Sequence, residues 1–103
     1  IRELNFLSNQ DSMAAIAPLA MLRRCLLHYR LKEYDKSLNL AISLEGTPLE
    51  DRGIILAGQI YETKYLDVEK AMEQYMRILD EFPKSIFSEP IRYHIRTLQQ
   101  TES

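Results

Sequence analysis

The five residues Gly46-Thr47-Pro48-Leu49-Glu50 constrain this chain more than any other stretch. Glycine takes the left-handed conformation that closes a helix. Thr47 then reads as the N-cap of a new helix, Pro48 as its first position and Glu50 as the side chain that reaches back in a capping box. One helix, over about 34–45, therefore stops here, and another, over about 48–64, starts within a couple of residues. So short a connection forces the two helices to pack antiparallel.

Apolar residues elsewhere recur at helical spacing. Leu19, Leu22, Leu26 and Tyr29 follow i, i+3, i+7, i+10, with Met21, Cys25 and His28 on a neighbouring strip, which predicts a helix over 18–30. Pro18 suits its first turn, and residues 12–17 either extend it N-terminally with a kink or form a separate turn. Leu4, Phe6 and Leu7 read as the tail of a preceding helix. The helix over 48–64 packs Ile54, Ala57, Gly58 and Tyr61. Asp67 caps a fourth helix over 68–81, which packs Val68, Ala71, Met72, Tyr75, Ile78 and Leu79. Phe82-Pro83 ends it, and Ser88-Glu89-Pro90 starts a fifth that carries Ile91, Ile95 and Leu98.

The first pair of long helices superimposes on the second. Tyr34 to Val68 and Ser37 to Ala71 are both 34 residues, and Cys25 to Gly58 and His28 to Tyr61 are both 33. The one-residue difference falls in the longer turn at 64–67. Ile54-x-x-Ala57-Gly58-x-x-Tyr61, a turn, Ala71-x-x-x-Tyr75-x-x-Ile78 and Pro83 together resemble the tetratricopeptide repeat, a helical hairpin of period 34. The first hairpin departs from that pattern. Arg24, Cys25 and His28 stand where the family has a large apolar residue, a glycine or alanine, and an aromatic, and Lys32 replaces the turn glycine. Asp80-Glu81-Phe82-Pro83-Lys84-Ser85 also resembles bacterial members of the family involved in envelope assembly.

The resemblance implies an all-α fold: antiparallel helical hairpins stacked as a short right-handed solenoid with a C-terminal capping helix. Its units are an N-terminal segment (1–17), a degenerate hairpin (18–46), a second hairpin (47–83) and the capping helix (84–103). Gly58 and Ala71 are expected to face each other at the closest approach of the second hairpin. The resemblance also implies a concave face lined by the first helix of each hairpin. By position, that face takes Leu22, Leu26, Tyr29 and Arg30 from the first hairpin and Arg52, Ile55, Gln59 and Glu62 from the second. The fifth helix adds Arg92, Arg96 and Gln99, so the groove runs from apolar to basic. The plainer alternative is that an upstream segment covers Leu22 and Leu26 and that the arginines are solvated.

Other chemistry finds little support. Net charge is −2, which gives no field to draw nucleic acid. No run approaches the roughly 18 apolar residues of a membrane-spanning helix. Cys25 is the single cysteine, so no intramolecular disulfide forms and no cysteine-based zinc site is expected. His28 and His94 lack a partner at metal-ligand spacing, and His28 is expected to pack between hairpins. Cys25 and His28 share a helix face, yet a small buried packing thiol explains Cys25 better than a nucleophile. Glu62, Glu69, Glu73 and Asp80 read as solubilising charges. No cofactor is implied. The class expected is a non-enzymatic module that holds a protein or peptide, a fragment of a longer repeat protein. The alternative is a segment that packs on its own chain or self-associates through its N-terminal end. Ile1 in place of Met, with no targeting pattern after it, fits an excised fragment or a processed chain. One cysteine suits a reducing or an oxidising compartment alike.

Overall fold

A computed structural model describes the backbone of residues 10–102 and the side chains of residues 17–100. It contains five helices in chain order: α1 (Gln10–Arg30), α2 (Tyr34–Ile42), α3 (Glu50–Thr63), α4 (Val68–Glu81) and α5 (Ser88–Glu102). No strand occurs among the described residues, and no described helix is long and apolar enough to cross a membrane. Residues 12–17 extend the first helix, and Pro18 lies buried inside it. An apolar N-terminal strip including some of Phe6, Leu7, Met13 and Ile16 is what self-association through that end would use, and these residues lie outside the described side chains.

Each helix packs mainly on the next one in the chain. Contacts at the helix ends set the directions. Gly53, in the first turn of α3, lies against the last turn of α2. Tyr65, just past α3, donates its hydroxyl to Asp35 at the start of α2, so α2 and α3 are antiparallel. The guanidinium of Arg77, late in α4, pairs with Glu50 at the start of α3 at 3.2 Å, so α3 and α4 are antiparallel too. The hairpin pattern would set the first helices of the two hairpins, over 18–30 and 48–64, side by side; α1 and α3 meet more loosely than that. Close backbone approach is between consecutive helices. α1 meets α3 through side chains, in a core shared by Cys25, Leu38, Ala41, Ala57 and Ile60. Their C-terminal ends also meet, where the Lys64 ammonium sits 5.7 Å from the centre of the Tyr29 ring. A second core gathers Ile54, Ala71, Tyr75, Ile78, Ile91 and Ile95 from α3, α4 and α5.

The two hairpin turns share a backbone feature. Lys32 and Leu66, 34 residues apart, are the only non-glycine residues with positive φ among those described, at 65° and 55°. The longer second turn is visible in the hydrogen bonds that close it. Glu33 N donates to His28 O across five residues, whereas Asp67 N donates to Tyr61 O across six. Asp67 caps α4 by accepting from Lys70 N. The α2–α3 connection differs from the expected capping box. α2 ends at Ile42, three residues early, and the N-cap of α3 is Leu49, which has no side-chain bond. Thr47 Oγ1 donates to Leu44 O at 2.6 Å and accepts from Leu49 N at 3.2 Å. Glu50 does reach back, but to Gly46 N at 3.2 Å. Gly46, at φ 82°, makes that reversal without the strain a side chain would add. Leu44 stays fully buried beyond the helix end, so the chain turns early but keeps its apolar register.

Small residues mark each close approach, though not all the expected ones. In the first hairpin, Cys25 and Ser37 are fully buried against each other. Ser37 Oγ donates to Cys25 O at 2.9 Å, and Cys25 Sγ lies 3.1 Å from Ser37 O. In the second hairpin, Gly58 lies under the Tyr75 ring rather than opposite Ala71: a Cβ there would sit 2.5 Å from Tyr75 Cε1. A Cβ on Gly53 would sit 2.5 Å from the Ala41 carbonyl oxygen, a backbone atom. Gly53→Ala should therefore push α2 and α3 apart, costing about 1–3 kcal/mol against a helix-propensity gain of about 1. Gly58→Leu should cost about 2–3 kcal/mol by displacing the buried tyrosine. Thermal unfolding followed by circular dichroism should show both variants melting lower, and an unchanged Tm for Gly53→Ala would mean that the α2–α3 contact is misplaced.

Candidate functional site

The eleven residues predicted to line a concave face differ in their surroundings. Four contact other elements or residues of the fold. Tyr29 stands edge-on to Tyr34 at 5.5 Å, under the Lys64 ammonium. Arg52 lies over the Phe87 ring at 5.4 Å and beside Asp51. Ile55 packs on the second core. Glu62 accepts two hydrogen bonds, described below. Leu22 is half-buried. The other six, Leu26, Arg30, Gln59, Arg92, Arg96 and Gln99, are exposed, and Arg92 pairs with Glu89 one turn away on α5. A partly enclosed depression of about 170 Å³ lies off this face, between α2, α3 and α4.

Glu62 corrects its reading as a solubilising charge. Its Oε1 accepts from the Tyr75 hydroxyl at 2.8 Å and lies 2.8 Å from His94 Nε2. The His94 ring is also edge-on to Tyr75 at 5.3 Å. One carboxylate thus joins α3, α4 and α5. Burial, and then the neighbouring Glu62 carboxylate, push the Tyr75 phenol well above its ordinary pKa. The buried hydroxyl needs an acceptor, because an unpaired one costs about 1–3 kcal/mol. The sequence did contain a signal. Gly58 and Glu62 stand at i and i+4, so a tyrosine ring lying over the first reaches the second with its hydroxyl. That signal needs the pairing of α3 with α4 in register before it can be read.

His28 is partly buried and engages a hydrogen-bond partner through one ring nitrogen. Its Nδ1 lies 2.6 Å from Glu33 Oε1, within the first turn, and that hydrogen bond holds the Glu33 carboxyl below the ordinary range. Cys25 is not directed at His28. Burial pushes its thiol pKa up, and its neighbours are the Ser37 hydroxyl and carbonyl, an arrangement that favours the unreactive protonated thiol. Among the described residues, no three His, Cys, Asp or Glu side chains are placed to hold a metal ion.

Sequence reasoning missed the outer face of α1. Leu19, Leu26, Leu27 and Leu31 are 41%, 41%, 51% and 58% exposed. Arg23, Arg24 and Arg30 are exposed among them. Single exposed leucines are ordinary, but three on α1 and a fourth one residue past its end put apolar surface on this side of the molecule, of the kind an interface uses. The helical spacing placed Leu19 and Leu26 on one strip, and Leu26 on the concave face, but gave no reading of Leu27 or Leu31; all four face solvent. Comparison with protein-family models, characterised proteins and solved structures finds no match for this chain.

The Tyr75 cluster makes stability fall at high pH. An unfolded tyrosine ionises near pH 10. Folded Tyr75 keeps its proton to higher pH, so above that point the native state holds more protons than the unfolded state, and stability declines as pH rises. Urea unfolding at about pH 9 and about pH 11 should show a smaller loss for Tyr75→Phe than for the wild type. Equal losses would place the hydroxyl outside this cluster.

Proposed function

We propose that this chain is a non-enzymatic interaction module: two tetratricopeptide-like hairpins and a capping helix, wound as a short right-handed solenoid that holds an extended or helical segment of a partner protein. The observation that supports this reading is the repetition of the hairpin itself. Lys32 and Leu66 turn the chain in the same left-handed conformation 34 residues apart. Ser37 and Ala71, and Leu44 and Ile78, are each fully buried at that same offset. A stacked hairpin leaves one face of its first helix for a partner, and such solenoids use that face as a binding surface.

On this reading the partner lies across α1, α3 and α5, against Leu26, Arg30, Gln59, Arg92, Arg96 and Gln99. The arginines favour an acidic group on the bound segment. Exposed ion pairs contribute about 0–1 kcal/mol each, so apolar contact at the α1 end supplies most of the affinity. A partner isolated with the chain as bait tests the face. Gln59→Glu and Arg96→Glu together should weaken its binding about tenfold, and Glu73→Lys, on the outer side of α4, should leave it unchanged. The reverse pattern would move the binding surface to the outer helices.

A further inference from the structure

The outer face of α1 and the groove between α2, α3 and α4 are opposite in charge and alike in having an apolar centre. From Ala17 to Lys32 the chain has no acidic residue, and Arg23, Arg24 and Arg30 stand among the four exposed leucines. The groove has a floor of Ala41, Gly53, Ile54 and Ala57. Across Gln74 and Arg77 it continues into a shallower depression along α4, with Met72 and Met76. The carboxylates on its walls are Glu45, Glu50, Glu69 and Glu73, against one guanidinium, Arg77. Glu50 and Glu81 already pair with Arg77, so it does little to offset the other carboxylates.

We infer that the groove receives α1 of a second copy of this chain. No described residue of α1 lines the groove, which leaves it open to the α1 of a second molecule. The lengths agree: at 1.5 Å per residue, Leu19 to Leu31 spans about 18 Å, and Val68 to Arg77 along the groove spans about 14 Å. Charge favours this surface over α5, where Arg92 pairs with Glu89, His94 meets Glu62, and the exposed Arg96 would face a basic α1. The contact joins two different surfaces, so copies of the chain assemble head to tail, or as a pair that exchanges α1, to an extent that grows with concentration. This inference goes beyond the concave-face reading and does not rest on it, although the two surfaces share Leu26 and Arg30, so a second copy and a partner compete there.

Sedimentation equilibrium on the 103-residue chain tests it with exposed residues alone. The wild type should show an average mass that rises with concentration and falls with added salt. Arg23→Glu/Arg24→Glu should destroy the helix side of the contact, and Glu69→Lys/Glu73→Lys the groove side. Each should raise the dissociation constant tenfold or more while the helical circular dichroism is retained. Mixed together, the two variants should associate again, because the acidic groove of the first meets the unaltered α1 of the second. Gln59→Glu/Arg96→Glu should self-associate like the wild type, which separates this outcome from any failure of the concave face. A wild type that is monomeric up to its solubility limit overturns the inference. So does association that survives both charge reversals, or a mixture that stays monomeric.

Discussion

The Tyr75 ring lying on Gly58 is the contact on which the C-terminal half of the fold depends. With no side chain at Gly58, the ring sits directly on the α3 backbone, fully buried. That position carries its hydroxyl to Glu62, and Glu62 in turn meets His94 on the next helix. Three helices are therefore held by one aromatic side chain and one carboxylate. The apolar core around them, Ile54, Ile78, Ile91 and Ile95, supplies the driving force of burial. The polar cluster adds direction: a hydroxyl in a dry site accepts few arrangements other than the one that pairs it.

α3 is the pivot of the described fold. Its first turn meets α2 at Gly53, its middle meets α4 at Gly58, and its last turn reaches α5 through Glu62. The first hairpin solves the same close-packing problem differently. Cys25 and Ser37 replace the missing side chain with a pair of small groups that hydrogen-bond across the helices. One hairpin packs by absence of a side chain and the other by polar pairing, which is why their sequences look less alike than their backbones. The division of charge follows the helices as well. α1 is basic and shows leucines to solvent, and the groove between α2, α3 and α4 is acidic with an apolar floor.

Local signals and their limits can be compared at the helix boundaries. Asp67 caps α4 as its sequence position predicts, because the cap bond closes within three residues. The Thr47 cap fails because Leu44 is drawn into the core. Thr47 bonds back to Leu44 O, and the new helix starts two residues later. Ala71 is fully buried as its pattern predicts, yet the neighbour that closes over Gly58 is Tyr75, one turn further along α4. Periodicity identifies which face of a helix is buried, but not the axial register of its neighbour, and a shift of one turn leaves the pattern unchanged.

The sequence by itself determined the number and order of the described helices, the 34-residue offset between hairpins and the position of the extra turn residue. These depend on propensity, capping and spacing within a few residues, which a linear chain displays directly. Only the tertiary structure decided which small residue faces which large one, that Glu62 joins three helices, and that the leucines of α1 stay exposed. Those outcomes depend on what stands opposite each face, and for Glu62 the partners lie 13 and 32 residues away. An amphipathic pattern shows that a surface is suited to burial; whether another helix comes to bury it is settled by packing between segments distant in the chain.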